Sequence, residues 1–413
     1  MRVLIVSQYF HPEPFRINDL ARALHGKGHK VTVLTGMPNY PEGHRYPGYG
    51  WFSPGKEDYC GIPVIRVPSI TRGAEKNGRL LLNYLSFAVS SCLLGPLRCR
   101  QKFDIVLVYE PSPITVGLPG MLMGEINSAP VMLWIQDLWP ETLAAVGQRG
   151  LLSRIATVVA KFIHQGCDLL LVQSEAFTQA LINRDIPRAR IRYLPNWAEE
   201  FYKQDNPTVM PDPFAEFKGV RILFAGNIGT AQSVETIIEA AQLLRHRPDI
   251  QWIIVGDGIM RKWVEEQIRS RHLEATVALL ERRPPEHMPA LFSHADALLV
   301  TLRRDPVFSM TIPSRIQSYL AAGKAIVGAL DGEGARIVEE SGAGFVAHAE
   351  DAGGLAACVL RIAAMTPAER NTLGICGRDY FDRHFSRDKL IGQLETWMQE
   401  LVETRHAHSD TGR

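Results

Sequence analysis

A short run in the second half of the chain combines a helix start with a fixed positive charge. Pro313, Ser314 and Arg315 open the stretch Pro-Ser-Arg-Ile-Gln-Ser-Tyr-Leu-Ala-Ala-Gly. Proline suits the first helical turn, because its missing N–H would have no intrahelical partner there. Free N–H groups of that turn, the helix dipole and the arginine together favour a phosphate. Ser314 and Arg315 are therefore candidate phosphate ligands, and the alternative is an ordinary start of a buried helix.

A second candidate anion site follows the apolar run 222–225. Gly226, Asn227 and Gly229 come directly after it, and glycine there lets the backbone approach a phosphate closely. The alternative is a plain strand-to-helix turn. Gly256, Asp257 and Arg282 follow later apolar runs, where a nucleotide base could stack or pair. Asp257 could instead cap the next helix.

Polar side chains also follow apolar runs in the first half of the chain. Asp137 and Glu110 stand at the ends of two such runs, and His11, Arg16 and Asn18 lie in or just past the loop after the first one. Asp137 could instead cap a helix starting at Pro140-Glu141. A lone histidine is more often structural, and Glu13 and Glu141 read as surface or capping carboxylates.

Apolar β-rich runs alternate with helical patterns through both halves. This alternation predicts parallel sheets with right-handed crossovers, and the near-continuous apolar runs predict strands covered on both faces. Helical stretches include 17–25 and 153–164. The predicted strands are 3–7, 31–35, 64–67, 105–109, 131–136, 169–173, 191–194, 222–225, 252–255, 277–280, 297–302, 325–327 and 345–346.

The proline-rich segment 205–213 separates two domains of this α/β type. We predict a first domain over 1–195, a linker over 196–218, a second domain over 219–385, a helix over 386–405 that returns to the first domain, and a frayed tail over 406–413. Ligands of doubly wound sheets bind at the carboxyl ends of the strands, so we expect the site in a cleft between the domains.

Composition excludes several classes of protein. The 413 residues exceed what a single core usually supports, which is about 250–300 residues. A net charge of +1 provides no overall electrostatic case for nucleic acid. The six cysteines form no C-x-x-C pair, which argues against a zinc site and a disulfide framework and fits a reducing, cytosolic setting. No G-x-G-x-x-G follows the first run, which disfavours a dehydrogenase.

Several motifs taken in order resemble a known family. The second half resembles family-4 glycosyltransferases, and the first half resembles their bacterial WbuB-like branch. The segments that carry the likeness are 7–13, 15–19, 37–43, 136–141, 226–228, 232–240, 255–258, 286–289, 295–300 and 313–323. Each motif alone is weak, but their shared order and spacing from residue 1 to about residue 400 are specific.

The resemblance implies a GT-B fold of two Rossmann-like domains and a retaining transfer from a nucleotide-sugar without an essential metal or a cofactor. It implies synthesis of a surface polysaccharide (O-antigen, capsule or exopolysaccharide) on a lipid carrier. We consider UDP as the nucleotide and an N-acetylated hexosamine or 6-deoxyhexosamine as the sugar. In this reading Asp137 orients the donor sugar or stabilises charge at its anomeric carbon, Glu110 binds acceptor hydroxyls, and His11 is a third catalytic candidate.

The chain departs from the family pattern at the donor diphosphate and ribose. Many members carry Arg and Lys where this chain has Asn227 and Gln232, and the two carboxylates of the E-x7-E pattern fall on Met310 and Ser318. Ser318 could make one hydrogen bond to the ribose but not the paired acceptors of a carboxylate. Candidates to restore the missing charge are Arg315, Arg282 and Arg16.

Two alternatives to a transferase remain open from the residues: a nucleotide-sugar 2-epimerase of the same fold and a catalytically silent nucleotide-sugar-binding protein. The segment 80–97 is uncharged over 18 residues and has basic neighbours. It could lie in a membrane interface or form a core helix. We expect a peripheral location on the cytoplasmic face of the cell membrane, with a nucleotide-sugar and a lipid-linked saccharide as partners.

Overall fold

The computed structural model describes residues 1–50, 55–73, 77–139, 141, 150–198, 200–203 and 212–411. Contacts between its elements divide the chain into two units. The first unit comprises Met1–Leu194 and Asp388–Arg413, and the second comprises Pro195–Arg387. Each unit is built on one largely or wholly parallel sheet.

The first unit alternates strands and helices, as the sequence patterning predicts. Its elements in chain order are β1 (Arg2–Ser7), α1 (Arg16–Gly26), β2 (Lys30–Thr35), β3 (Lys56–Tyr59), β4 (Ile62–Arg66), α2 (Asn77–Arg98), β5 (Ile105–Glu110), α3 (Gly117–Asn127), β6 (Val131–Ile135), α4 (Leu151–Gly166), β7 (Leu169–Val172), α5 (Glu175–Ile182) and β8 (Ile191–Tyr193).

The sheet of the first unit has the strand order β3-β4-β2-β1-β5-β6-β7-β8. Seven strands run parallel, and the edge strand β3 pairs antiparallel with β4. The expectation of a purely parallel sheet is therefore wrong at this edge. The sequence of β3, Lys-Glu-Asp-Tyr, is polar, because an edge strand is less covered by other layers than a central strand. A search for apolar runs therefore does not find it.

The second unit repeats the same plan. Its elements are β9 (Val220–Ala225), α6 (Val234–Leu243), β10 (Ile250–Val255), α7 (Arg261–Ser270), β11 (Val277–Leu280), α8 (Met288–Ser293), β12 (Ala297–Thr301), α9 (Pro306–Ser309), α10 (Ser314–Ala321), β13 (Ala325–Ala329), α11 (Glu333–Ser341), β14 (Gly344–Ala347), α12 (Ala352–Ala364) and α13 (Pro367–His384). All six strands pair in parallel in the order β11-β10-β9-β12-β13-β14.

Strand β9 shows why its sequence is continuously apolar. Ile222 and Phe224 pack into one hydrophobic cluster, whereas Leu223 and Ala225 pack into another. Successive side chains of a strand point to opposite faces, so both faces of this strand are covered by helices. The covered faces leave the loops at the carboxyl end of the sheet as the place for polar ligand groups.

The segments around the second unit differ from their predicted form. The last helix, α14 (Arg387–Thr411), continues into the predicted tail 406–413. It packs in the first unit, where Glu395 contacts Lys27 at 2.7 Å and His29 at 2.8 Å. Within the predicted linker, Phe214 is fully buried in a cluster of the second unit, because its apolar ring has an adjacent core to enter. Residues 204–211 of that linker lie outside the described residues.

Candidate functional site

Two glycine-rich loops meet at the carboxyl ends of β9 and β10 in the second unit. A Cβ added to Gly256 would lie 1.9 Å from the carbonyl oxygen of Gly226, and one added to Gly258 would lie 2.4 Å from that of Ile228. The Ile228 amide donates to the Asp257 carbonyl at 2.8 Å. Only glycine permits backbones to approach this closely. The loops therefore form one rigid surface of backbone groups.

The guanidinium of Arg315 is held against this surface. It lies over the Phe224 ring, 4.4 Å from the ring centroid, and its Nη2 donates to the Asn227 carbonyl at 3.2 Å. A Cβ on Gly226 would lie 2.8 Å from the same nitrogen. Burial lowers the pKa of Arg315, since the charged form loses water. The structure thus brings Arg315 to Gly226 and Asn227, although Arg315 lies 88 positions after Asn227 in the sequence.

Asn227 and Gln232, which stand where many family members have two cations, also meet. The Asn227 amide donates to Gln232 Oε1 at 3.4 Å. A Cβ on Gly229 would lie 2.7 Å from Asn227 Nδ2 and 2.9 Å from Gln232 Oε1. The two amides therefore cover Gly229, the second glycine of the loop after β9. They present hydrogen-bonding groups without charge, and the positive charge of Arg315 lies beside this loop.

Helix α10 begins one residue later than the sequence predicts. Pro313 is the cap residue, with an extended ψ of 130°, and Ser314 is the first helical residue. The prediction that Pro313 lies in the first turn is therefore wrong by one position. No cap side chain bonds to the first-turn N–H groups, and Ser314 is exposed. These N–H groups can serve an anion.

Ser318, Asp257 and Arg282 differ in what they offer a ligand. The buried Ser318 hydroxyl donates to the Ser314 carbonyl at 3.2 Å within α10. The exposed Asp257 accepts from the Gly258 amide at 2.8 Å. The cap of α7 is Met260, so the alternative that Asp257 caps this helix is wrong. Arg282 is exposed, two residues after β11.

In the first unit, Glu110 and Asp137 come together at the carboxyl ends of β5 and β6. Glu110 is completely buried, and both its carboxylate oxygens lack a hydrogen-bond partner among the residues that the structure describes. Burial, then the charge of Asp137, raises the pKa of Glu110 well above its ordinary value. Burial raises the pKa of Asp137 from 3.8 to about 7. Asp137 therefore titrates near neutral pH, whereas Glu110 holds its proton more tightly than an exposed glutamate would.

Aromatic and basic side chains surround this pair, and the sequence did not single out the aromatic ones. Tyr84 of α2 is hydrogen-bonded to Ser112, and burial and the charges of Asp137 and Glu110 raise its pKa. Trp139 donates to Ser112 Oγ at 3.2 Å. Arg16, at the start of α1, lies close enough to lower the pKa of Tyr109, although burial raises it more. The positions of Tyr109 beside Glu110 and of Trp139 two residues after Asp137 are the sequence signals that could have found aromatic members.

His11 belongs to a second cluster of the same unit. Its ring stacks on Tyr59 at 4.5 Å between centroids, and its carbonyl accepts from the buried Arg66. Burial and the charge of Arg66 lower the pKa of His11. Asn18 accepts from the His11 amide at 3.0 Å and donates to the Glu13 carbonyl at 2.7 Å. Asn18 thus orders the loop that carries His11.

Glu13 is not the surface or capping carboxylate that the sequence suggested. It is buried, and it accepts from the backbone amides of Asn39 at 2.8 Å, Tyr40 at 2.7 Å and Phe10 at 3.2 Å. Burial raises its pKa to about 7, although these three bonds oppose the shift. Glu13 therefore ties the loops after β1 and β2 together. Glu141 pairs with Arg184, and its helix start at Pro140 lies outside the described residues.

The described residues hold no group of three His, Cys, Asp or Glu side chains spaced as metal ligands. The cations and backbone donors beside the candidate residues include Arg315 and the N–H groups of α10 in the second unit. They also include Arg261, whose Nη1 donates to the Gly256 carbonyl at 2.5 Å. In the first unit Arg16 lies near Tyr109, beside Glu110.

Comparison with known proteins agrees with this architecture and names its class. Residues 15–197 match the model of a glycosyl transferase 4-like domain, and residues 219–365 match that of glycosyl transferases group 1. The chain belongs to the family-4 glycosyltransferases, and its fold is of the GT-B class.

Two curated relatives and one solved structure illustrate the likeness. The putative colanic acid biosynthesis glycosyl transferase WcaI of Escherichia coli is 26% identical, covering 95% of this chain and 98% of its own length. The probable glycosyltransferase WbjE of Pseudomonas aeruginosa is 28% identical over 78% of this chain and 83% of its own. The crystal structure of Anabaena HepE in complex with UDP superposes with a TM-score of 0.69 at 15% identity, covering 97% of this chain and 100% of that one.

Proposed function

We propose that this glycosyltransferase moves an N-acetylated hexosamine or 6-deoxyhexosamine from UDP to a lipid-linked saccharide, with retention of the anomeric configuration and without a metal ion. The product would be a unit of a surface polysaccharide. The names of the relatives support the process, because one is a putative colanic acid biosynthesis enzyme. The UDP complex of HepE supports the choice of nucleotide.

The observation that carries the proposal is the position of Arg315. Its guanidinium is fixed by Phe224 and the Asn227 carbonyl beside the start of α10. A diphosphate bound there would meet a cation, the helix N–H groups and glycine backbone at once. The departing UDP gains negative charge as the glycosidic bond breaks, and these groups would stabilise that charge without a metal.

Asp137 would act on the opposite charge. Positive charge develops at the anomeric carbon as the donor bond breaks, and an ionised carboxylate nearby stabilises it. Asp137 can be ionised near pH 7, since its pKa of about 7 lies there. A protonated Glu110 is a hydrogen-bond donor, which suits it to bind an acceptor hydroxyl oxygen.

A donor screen followed by product analysis tests the proposal. The purified protein is offered UDP- and GDP-sugars, first in thermal-shift binding and then in transfer to a lipid-linked saccharide, with and without EDTA. We expect stabilisation by UDP-sugars, transfer that survives chelation, and a product whose anomeric configuration by NMR equals that of the donor. Transfer that is lost with EDTA and restored by magnesium or manganese would contradict the metal-independent mechanism.

The same experiment distinguishes the two alternatives. A 2-epimerase would change the sugar of the UDP-sugar in the absence of acceptor, and the change would appear in the NMR spectrum of the donor. A silent binding protein would show stabilisation by the donor and neither hydrolysis nor transfer. Either result would overturn the transferase proposal while leaving the fold and the donor site in place.

A further inference from the structure

Helix α2 presents a row of apolar side chains to the outside of the first unit. Val89 is 57% exposed and Leu93 is 66% exposed. The other members are Leu81, Leu82, Leu85 and Leu97. The recurrence every four residues makes one stripe along the helix. Asn83, Phe87 and Ser91, on the opposite side of α2, are fully buried in the unit.

Helix α4 adds a second apolar row, which the sequence reading did not connect with α2. Val158 is 69% exposed and Phe162 is 58% exposed, and Ile155 lies one turn before them. The spacing of three and four residues again defines one side of a helix. The α4 residues Ala156, Ala160 and Ile163 are buried, so this row also faces away from the core.

Helix α3 lies between the two rows and joins them into one surface. Gly117 of α3 packs on Ile163 of α4, and Gly95 of α2 packs near Met123 of α3, where an added Cβ would lie 3.7 Å from its sulfur. Close packing at glycine brings helices side by side. The exposed Ile126 of α3 contributes to the same surface. We call the ten exposed apolar residues of these helices the apolar face. They are Leu81, Leu82, Leu85, Val89, Leu93, Leu97, Ile126, Ile155, Val158 and Phe162.

Charges around the apolar face are mostly positive. Helix α2 contains no Asp or Glu from Asn77 to Arg98. The basic residues on or next to the three helices are Arg79, Arg98, Arg100, Lys102, Arg154 and Lys161. Of these, Lys161 is paired with the exposed Asp185 at 3.5 Å. Glu125 of α3 is the exposed acidic residue of the described part of these helices. An apolar surface with basic surroundings complements an anionic lipid surface more closely than it complements another protein's polar exterior.

We propose that the apolar face docks this enzyme on an anionic membrane leaflet, with α2 and α4 lying in the headgroup region. Two rows from separate helices make a broad contact, and the basic residues add attraction to anionic lipid. The assignment to the cytoplasmic leaflet rests on the proposed function, since that is where a nucleotide-sugar would be available to the enzyme.

Helix α2 is long and apolar enough to cross a bilayer, as judged by length and composition among the described residues. Its inner side argues for lying on the surface instead. Asn83 accepts from Gln8 Nε2 at 2.7 Å and donates to the Ile70 carbonyl at 2.5 Å. A spanning α2 would break these bonds and bring a polar amide into hydrocarbon, where each unsatisfied group is costly.

Docking by α2 would also place the reactive carboxyl pair near the membrane. Tyr84 follows Asn83 in α2 and bonds to Ser112, and its pKa responds to Glu110 and Asp137. The helix whose outer side would meet lipid thus reaches the pair with its inner side. A lipid-linked saccharide keeps its sugars close to the headgroups, so this short path suits such an acceptor.

Liposome flotation of the full-length protein tests the docking. Vesicles contain phosphatidylcholine alone or with phosphatidylglycerol, at low and high salt. The variants are Leu93→Glu in α2 and Val158→Glu in α4, each expected to lower the partition coefficient on anionic vesicles about tenfold or more, because a carboxylate resists both apolar insertion and anionic lipid. The matched control is Ile375→Glu, a 53% exposed position on α13 of the second unit, which should bind as the unchanged protein does.

The outcomes separate docking from its competitors. Salt-sensitive binding to anionic vesicles that both face variants lose and the control retains supports the proposal. Absence of the unchanged protein from anionic vesicles at low salt overturns it, as does retention through an alkaline wash, which would mean a spanning helix. Light scattering that shows a dimer dispersed by the same two variants, without vesicle binding, would assign the face to a second copy of the chain instead.

Donor binding keeps this test independent of the proposed function. Calorimetry with UDP should show the same affinity, within about twofold, for both face variants and the unchanged protein, because neither residue belongs to the donor loops. Normal UDP affinity with lost flotation locates the defect on the membrane surface. Flotation without any nucleotide binding would leave the docking in place and sink the proposed donor chemistry.

Discussion

The two units carry their functional groups in opposite ways. In the first unit, the groups at the carboxyl end of the sheet are side chains, the buried Glu110 and the half-buried Asp137. In the second unit, the corresponding edge consists largely of backbone, with Gly226, Gly256 and Gly258 in close contact and Arg315 fixed above them. The same sheet edge therefore serves two kinds of chemistry.

The difference reflects what each half has to stabilise. A carboxyl in an apolar surrounding costs folding free energy but has a pKa that can be tuned, which suits a group that meets developing charge. Backbone N–H groups and an arginine have a constant charge distribution at all relevant pH values, which suits a diphosphate. The predictions below test this division, from the largest expected effect to the smallest.

The largest effect should come from Asp137→Asn. If Asp137 stabilises the transition state, turnover should fall roughly a hundredfold to a thousandfold with little change in the affinity for UDP. Steady-state kinetics with calorimetry measures both quantities. Glu110→Gln is the companion variant, and it should lower turnover less than about tenfold, since glutamine resembles the protonated carboxyl. Equal losses in the two variants would mean that Glu110 acts as the ion.

Next in size is the effect of Arg315→Ala on the donor. The lost contact to phosphate contributes about 1.5–3 kcal/mol, so affinity for UDP should fall roughly tenfold to a hundredfold. Arg315→Lys keeps the charge but loses the bond to the Asn227 carbonyl and the stacking on Phe224. Its affinity for UDP should lie between those of Arg315→Ala and the unchanged protein. Calorimetry decides the matter, with the exposed Arg245→Ala as the control. Unchanged affinity in Arg315→Ala would remove this residue from the donor site.

Gly256→Ala tests the rigid backbone of the second unit. The new methyl group would lie 1.9 Å from the Gly226 carbonyl oxygen, so the loops must separate. We expect a loss of about 1–3 kcal/mol in unfolding free energy and weaker UDP binding. Gly392→Ala is the control, because no atom lies within 4 Å of its added Cβ. Urea denaturation that gave equal stabilities for the two variants would show that the contact can relax.

The smallest effect is a pH dependence of stability that originates in Asp137. Its pKa is raised on folding from 3.8 to about 7, so the folded state binds this proton more tightly. The protonated carboxyl contributes its full stabilisation of the folded state below about pH 4, and this contribution is lost as pH rises through about 7. Asp137→Asn should therefore gain about 2 kcal/mol relative to the unchanged protein between pH 5 and pH 8. If the unfolding free energies of the variant and the unchanged protein depended on pH in the same way, the pKa of Asp137 would be that of an ordinary carboxyl.

Sequence patterns predicted the elements better than they predicted the environment of single polar residues. The two α/β folds, the predicted strands and the candidates that follow them could be found because continuous apolar runs are specific to covered parallel strands. Edge strand β3 escaped, because its Lys-Glu-Asp-Tyr sequence has no apolar run. The start of α10 was wrong by one residue, since Pro313 fits both the cap and the first turn.

Long-range contacts explain what sequence reasoning missed. Glu13 reads as a surface residue until the loop at Asn39 and Tyr40 folds over it. Tyr84 belongs to a helix far along the chain from Ser112, and no local pattern connects the two. The apolar rows of α2 and α4 are separate in the sequence, and α3 makes them one surface.

By itself, the sequence determined the family, the alternation of strands and helices, and the identity of the groups at the strand ends. Local periodicity and the order of motifs contain that information, because each depends on residues near one another in the chain. Tertiary structure decided the pKa values of the carboxyls and the position of the arginine side chain. Burial raises the pKa of Glu110, and Phe224 with the Asn227 carbonyl fixes Arg315. Desolvation and distance depend on neighbours brought from elsewhere in the chain, so these properties arise only on folding.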